Sequence, residues 1–355
     1  MSGTSIDGAD AILADFADPV PRVAGFHSEQ FPPSLRAELL ALNIAGENEI
    51  ERSHLAANAL ADVYASAVAA MLASTGTLPK DVVAIGCHGQ TVRHRPDSGF
   101  TVQLNNPARL AELAKISVVA DFRSRDIAAG GQGAPLVPAF HDGVFRAPDE
   151  TRVVVNIGGI ANITVLEKNK PAWGFDCGPG NCLMDAWIDK HLGQRFDDNG
   201  AWAAQGQALA RLSGHFISDK YFAQLPPKST GRDLFNLQWL EQRLTENEKP
   251  VDVQATLLDL TAASIANDVK RIAPECNRVL VCGGGAQNSA LMGRISELLP
   301  LAKVGRTDAF GVPAQQVEAL AFAWLAKQAI ERRAVDLRAT TGAAHATILG
   351  AIYPK

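Results

Sequence analysis

One order of elements occurs twice in this chain, and it limits the available folds more than any other feature. A glycine turn, "GTSIDGAD" (3–10), leads into the alternating stretch "AILADF" and then "PRVAGFHSEQF". Far downstream, "TRVVVNIGG" runs into "IANITVLE" and then "PAWGFDCG". Apolar runs bounded by glycine read as strands joined by tight turns. Little residue identity links the copies. What repeats is the order, which predicts two related lobes facing each other.

The intervening segments have helical periodicity: "PSLRAELLALN", "IERSHLAANALADVYASAVAAMLAST" and "PARLAELAK". Short apolar strands, "DVVAIGCHG", "FTVQL" and "ISVVADF", alternate with them, as in an α/β protein. In the second half, "NCLMDAWIDKHLG" reads as a helix ended by Gly193, and "QQVEALAFAWLAKQAIERR" as a long helix. "IAAGGQGAP" (127–135) reads as a flexible glycine cluster, a hinge or a ligand loop. A chain of 355 residues favours two domains, and 47% hydrophobic residues mark it as globular. A net charge of −5 argues against nucleic acid and anionic membranes as main partners. No apolar run approaches the ~20 residues of a membrane span, and no basic segment opens the chain as in a signal peptide. Five cysteines with no CxxC pair suggest a reduced, cytoplasmic setting.

Four glycine-associated motifs could carry chemistry. In "GTSIDGAD", Gly3 lets backbone N–H groups converge on an anion, and Thr4 and Ser5 add hydroxyls. Asp7 and Asp10 could hold Mg²⁺ through water; the plainer reading is an ordinary hairpin turn. In "NIGGIANITVL", Asn156, Gly158 and Gly159 again permit close approach to phosphate. "VLVCGGGAQNSAL" places Gly283, Gly284 and Gly285 between a buried strand and a helix N-terminus, either for a nucleotide or for tight strand–helix packing. In "GFDCGPGNCLMDAWI", Asp176 ends a strand beside glycines, where a general base could sit. Asn181 is the better helix cap, which leaves Asp176 free; Asp185 reads as structural. Asp121, Arg123, Arg125 and Asp126 crowd the end of "ISVVADF", as an anion site or a surface network. His88 lacks metal-ligand spacing and reads as structural. "PKSTGRDLFN" is a polar loop without an assigned purpose.

Together "MSGTSIDGAD", "GCHGQTVRH", "VVADFRSRDIAAGGQGAPLVPAFHD", "NIGGIANIT", "GFDCGPGNCLMDAW", "PKSTGRDLFN", "VCGGGAQNSALM" and "EALAFAWLA" resemble the anhydro-N-acetylmuramic acid kinases, in order and over nearly the whole chain. The resemblance implies a two-lobed actin-like ATPase (ribonuclease H-like) fold: duplicated mixed sheets, flanking helices and a central cleft for ATP and Mg²⁺. The expected first lobe is 1–125 with 335–355, and the second is 126–334. The implied reaction opens the 1,6-anhydro bridge of 1,6-anhydro-N-acetylmuramic acid with water and phosphorylates O6, in peptidoglycan recycling. By motif, Asp176 matches the catalytic base. Gly3, Thr4, Ser5, Ile6, Asp7, Gly8, Ala9 and Asp10 match the first ATP loop, and Gly283 to Gly285 the adenosine loop. His88, Gln90, Asp121, Arg123, Arg125 and Glu318 are expected at the sugar; Arg123 or Arg125 would take its lactyl carboxylate, and Glu318 a hydroxyl. Partners are the sugar and ATP, with a homodimer admitted. The alternatives are a kinase for another sugar on this fold, or an inactive nucleotide-binding switch.

One departure stands out. Family members carry a short apolar strand before "MSGTS", where this chain has Met1. Three buried aliphatic side chains contribute roughly 5–9 kcal/mol, against about 5–15 kcal/mol for a whole domain. The expectation is therefore a start upstream of Met1.

Overall fold

The structure is a computed structural model, and it describes residues 1–355 except Thr4, Ser5, Pro227, Asp233 and Glu246. Along the chain run β1 (Gly8–Asp15), β2 (Arg22–Gln30), β3 (Ile85–Gly86), β4 (Gln90–Arg95), β5 (Phe100–Leu104) and β6 (Val118–Ala120). They are followed by β7 (Arg152–Ile157), β8 (Ile160–Leu166), β9 (Trp173–Pro179), β10 (Arg278–Cys282), β11 (Lys303–Arg306) and β12 (Ala351–Tyr353). Two compact units divide the chain: Met1–Val144 with Glu318–Lys355, and Phe145–Val317.

These boundaries differ from the expected ones. The helix Val317–Ile330 joins the first unit because its Phe322, Leu325 and Ala326 pack with Val119, Phe122 and Leu136. Phe140 lies edge-on to Trp324, with ring centroids 6.3 Å apart. The segment 126–144 is therefore held to the first unit by aromatic contacts that no local pattern announces.

The second unit is built on one five-stranded sheet, ordered β11-β10-β7-β8-β9. β7, β8 and β9 are antiparallel, whereas β10 runs parallel to β7 and β11. The central strand β7 is apolar on both faces, as burial of both requires: Val153, Val154 and Val155 are all inaccessible to solvent. The register pairs Cys282 with Asn156, so β10 and β7 end together at their glycine turns. The helix Pro250–Ile272 packs on β8 and β9. Its Thr261 hydroxyl bonds the carbonyls of Pro179 and Gly180, fixing the end of β9.

In the first unit β1 pairs antiparallel with β2, while β6 pairs parallel with β3 and antiparallel with β12. β1 starts at Gly8, inside the stretch read as turn, because Gly8 is a strand residue with no room for a side chain: a Cβ there would lie 2.2 Å from the Glu29 carbonyl oxygen. β4 and β5 form a hairpin, and β4 carries too few apolar residues to read as a strand. The helix Glu49–Thr75 packs on β1 and β2 through Leu60, Ala61, Tyr64 and their neighbours. An 18-residue window of this 27-residue helix, with mean hydropathy 1.5, is long and apolar enough by length and composition to cross a membrane. Half of that stretch is buried in the unit's own core. All five cysteines are buried and unpaired.

The glycine cluster after Ala128 is not a loose hinge. Asp126 is wholly buried, and its carboxylate accepts from Gly133 N–H at 2.7 Å and from the Thr341 hydroxyl at 2.8 Å. A Cβ on Gly131 would lie 2.3 Å from the same carboxylate. Asp126 thus ties the loop to the C-terminal segment. Asp126→Ala strands two buried donors and is expected to cost about 2–4 kcal/mol, read as a lower urea midpoint at unchanged m-value.

Candidate active site

Each unit carries part of the residue set singled out in the sequence. In the second unit two glycine segments converge because side chains are excluded. Gly283 has φ +82°, and a Cβ would meet Asn156 Oδ1 at 2.4 Å and the Ile157 carbonyl oxygen at 2.7 Å. A Cβ on Gly285 would meet Ile157 Cγ2 at 2.3 Å. Gly284 is open, with only Asn181 within reach. Packing and ligand approach are therefore divided among the three glycines rather than being alternatives.

The helix N-terminus behind them differs from expectation. Gly284–Gln287 form a 3₁₀ turn, and the helix Ser289–Leu298 is capped by Asn288, whose Oδ1 accepts from Leu291 N–H at 3.0 Å. The helix thus starts one turn beyond the glycines with one end N–H already satisfied. Gly284 and Gly285 themselves belong to the 3₁₀ turn, which Gly283 precedes.

The hairpin Gly158–Gly159 is set by the turn that follows β9. Gly180 and Cys182 donate to the Gly159 carbonyl, and Asn181 donates to that of Gly158, at 2.8–3.1 Å. Their carbonyls are thereby consumed, while neither glycine N–H finds a partner among the described residues. Unbonded N–H groups near an open glycine are of the kind that suits an anion. The Arg232 guanidinium would lie 3.2 Å from a Cβ on Gly159, so a fixed cation flanks the same hairpin.

Asn181 makes no capping bond to its helix, Cys182–Leu192. Its side chain instead reaches the Ile157 carbonyl at 3.4 Å, so it joins the hairpin to the helix start. Nor is Asp176 free. Its Oδ2 accepts from Thr230 N–H at 3.0 Å, its own N–H donates to the Lys228 carbonyl, and Tyr221 OH donates to its carbonyl at 2.7 Å. Burial raises its carboxyl to about 6, against the opposing pull of the Thr230 N–H and the Lys228 ammonium. Lys228 is itself buried, 3.2 Å from Asp268 and over the rings of Phe175 and Tyr221. Asp185, set aside as structural, is half-buried, and burial raises it to about 7.

Lys228, Thr230 and Arg232 come from "PKSTGRDLFN", which sequence reasoning left without a purpose. Its density of hydroxyl and basic residues was the available signal. The contact with β9 spans 54 residues of chain.

In the first unit, Thr4 and Ser5 lie outside the described residues. Around them the loop is pinned: Gln90 donates to the Gly3 carbonyl at 3.2 Å, and Ser2 bonds Tyr64 OH and the Gly89 carbonyl. Ile6 adopts a left-handed conformation, φ 54°, with its side chain buried. Asp7 is half exposed and 3.7 Å from Arg36. Ala9 and Asp10 belong to β1.

His88 is buried, as the structural reading has it. Nδ1 donates to the Gly89 carbonyl, Nε2 accepts from Arg123, and the ring packs on Phe322 at 4.5 Å. Burial and the Arg123 charge hold it neutral, well below the usual histidine range. Arg123 is spent inside, bonding His88 and the Gly133 carbonyl; burial lowers it to about 10. Arg125 is exposed, and among the described residues its side chain bonds only the Thr347 hydroxyl, at 3.4 Å. Of the two arginines, Arg125 is the one left to a ligand. Asp121 is exposed at the head of the helix Phe122–Ala128, and Glu318 is exposed in the first turn of its helix, its charge acting on Arg123. No cluster of three metal-ligating side chains occurs among the described residues.

Residues 1–355 match the family described as Anhydro-N-acetylmuramic acid kinase. The curated protein of that name from Bordetella pertussis is 56% identical over 359 residues, spanning 100% of this chain and 94% of its own. Its counterpart in Cupriavidus pinatubonensis is 54% identical over 364 residues, spanning 100% and 97%. Among solved structures, component A of the (R)-2-hydroxyglutaryl-CoA dehydratase of Acidaminococcus fermentans is similar at a TM-score of 0.47 and 12% identity, over 89% of this chain and 92% of that one. A family match over residues 1–355 and full-length identity above one half mean that the chain belongs to the anhydro-N-acetylmuramic acid kinase family.

Proposed function

We propose that this chain phosphorylates O6 of 1,6-anhydro-N-acetylmuramic acid from ATP while water opens the 1,6 bridge at C1. The observation that carries the reading is Asp176: a buried carboxyl, oriented by one backbone N–H, with its proton affinity raised toward neutrality. A base of that kind accepts a proton from water most effectively near its own pKa. Oxygen 6 leaves onto phosphorus, so no separate acid need protonate it, and one carboxylate suffices.

The phosphate chain of ATP fits the second unit, where Gly284 is open and the Gly158 and Gly159 N–H groups have no partner among the described residues. Those N–H groups and Arg232 would hold it, and Asn156 and Asn181 keep the two glycine segments in contact. Mg²⁺, bound mainly by phosphate oxygens, would neutralise charge as phosphoryl transfer proceeds. Arg125 would bind the lactyl carboxylate, since a planar guanidinium with free donors matches it. His88 and Arg123 shape the floor beneath, His88 remaining neutral. Gln90 ties the Gly3 loop to this floor.

The reading is tested by mass spectrometry of the product made in ¹⁸O-labelled water. Label at C1 with phosphate on O6 is expected; phosphorylation without label at C1 excludes the coupled reaction. Asp176→Asn is expected to lower kcat at least about 10³-fold. Folded Asp176 binds its proton more tightly than the unfolded chain, so it destabilises the fold as pH rises from about 4 through 6. The Asn variant should therefore unfold at higher temperature than the parent at pH 8, with no gain at pH 4. Equal melting at pH 8 would contradict the raised pKa.

In the parent, kcat/KM is expected to rise with pH through about 6 as Asp176 ionises. Lys228→Met removes the cation that favours the ionised form, so the acid limb should move to higher pH by up to about one unit. Arg125→Ala is expected to raise KM for the sugar about 10–100-fold with kcat little changed; steady-state kinetics separate the two.

A further inference from the structure

Two oxygens at the Asp176 pocket have no partner among the described residues. One is Asp176 Oδ1: Thr230 N–H holds Oδ2 at 3.0 Å, and Oδ1 accepts no bond. The other is Thr230 Oγ1, which is closed to solvent as well as unbonded. A single residue thus fixes one carboxylate oxygen through its backbone and brings an unused hydroxyl beside it. Covalent geometry keeps the two close, since Oγ1 lies three bonds from the nitrogen that grips Oδ2.

The other hydroxyls and the cation around this pocket are committed. Tyr221 OH donates to the Asp176 carbonyl at 2.7 Å, and the Thr261 hydroxyl bonds the carbonyls of Pro179 and Gly180. The Lys228 ammonium stands 3.2 Å from Asp268 Oδ2, over two aromatic rings. Thr230 is costly where it stands, because a buried hydroxyl without a partner lowers stability. Valine has the same shape and carries no such cost. What threonine offers that valine lacks is two lone pairs and a rotatable proton.

We propose that Thr230 Oγ1 is the second contact of the water molecule that Asp176 deprotonates. The inference rests on the reading of Asp176 as the base, and adds how the water is oriented. Water attacking C1 aims a lone pair at the carbon, so both of its hydrogens need acceptors. Asp176 Oδ1 takes one and Thr230 Oγ1 the other. The bond from water oxygen to C1 then forms as the C1–O6 bond breaks. Oxygen 6 takes the γ-phosphoryl group as the bond from phosphorus to the ADP oxygen breaks, and the proton facing Oδ1 passes to the carboxylate. Two acceptors fix the rotation of the water, whereas one leaves it free to swing.

The test compares Thr230→Val and Thr230→Ser in the full chain by steady-state kinetics and thermal melting. Valine keeps the shape of the side chain and the backbone N–H. It should lower kcat about 10–100-fold. KM for the sugar and for ATP should stay within about twofold, so that kcat and kcat/KM fall together. The acid limb should remain near pH 6, because the N–H still holds Oδ2. Tm should equal or exceed that of the parent, since a buried unpaired oxygen is gone. Serine keeps the hydroxyl and should retain kcat within about threefold. The proposal is overturned if valine retains kcat, if serine loses it, or if valine raises KM for the sugar at unchanged kcat, which would assign the hydroxyl to the sugar. A lower Tm for valine would also overturn it, by showing the hydroxyl spent inside the fold, as would a displaced acid limb, by showing that the residue only positions Asp176. Asp176→Asn separates this inference from the reading beneath it. An active Asn variant removes Asp176 as the base and this inference with it. An inactive Asn variant beside an active Thr230→Val leaves the base and removes only the second contact.

Discussion

The contact on which the candidate site depends is that of Gly283 and Gly285 against Asn156 and Ile157. β10 and β7 are parallel neighbours whose last paired residues lie side by side. Beyond that pair the chains must separate unless side chains are absent, and at Gly283 and Gly285 they are. The turn after β9 then closes on the β7–β8 hairpin, consuming its carbonyls while its two glycine N–H groups have no partner among the described residues. An anion site formed in this way costs little reorganisation, because each donor is held by a sheet.

Asp176 illustrates how one buried acid is given its character by distant residues. Removal from water raises its proton affinity, while one backbone N–H and one buried ammonium limit the rise. A carboxylate with several N–H donors would be too weak a base, and one with none would stay protonated near neutrality. Thr230 and Lys228 set the balance. Lys228 is held by Asp268 on the helix Pro250–Ile272 and by two aromatic rings. Asp185, with a raised pKa in the same unit, shows that burial acts on more than one carboxylate there.

Much of this was legible in the residues. Repeated glycine turns, apolar strands and amphipathic helices announced α/β architecture and its duplication, because burial of a strand or a helix face leaves a periodic trace. The close approach at Gly283 and Gly285 was legible because few residue types tolerate those backbone positions. Other assignments failed for a common reason. The capping role of Asn181, the freedom of Asp176 and the looseness of the 127–135 loop were judged from near neighbours. In each case the deciding partner lies far along the chain: Ile157, Thr230 and Thr341. The unit boundary shifted likewise, because aromatic packing on the helix Val317–Ile330 has no local signature.

By itself the sequence determined the element types, the two glycine-led strand series and the family whose motifs they carry. Each of these follows from side-chain size, polarity and period within a few residues. Tertiary structure alone decided that Arg123 is spent on His88 and Gly133 while Arg125 remains exposed, and that the 228–232 loop attends Asp176 and the hairpin. It also decided that an apolar groove is lined by residues of both β1 and β3. These are matters of which groups meet across long stretches of chain. Only the closure of sheets and their packing against helices brings them together.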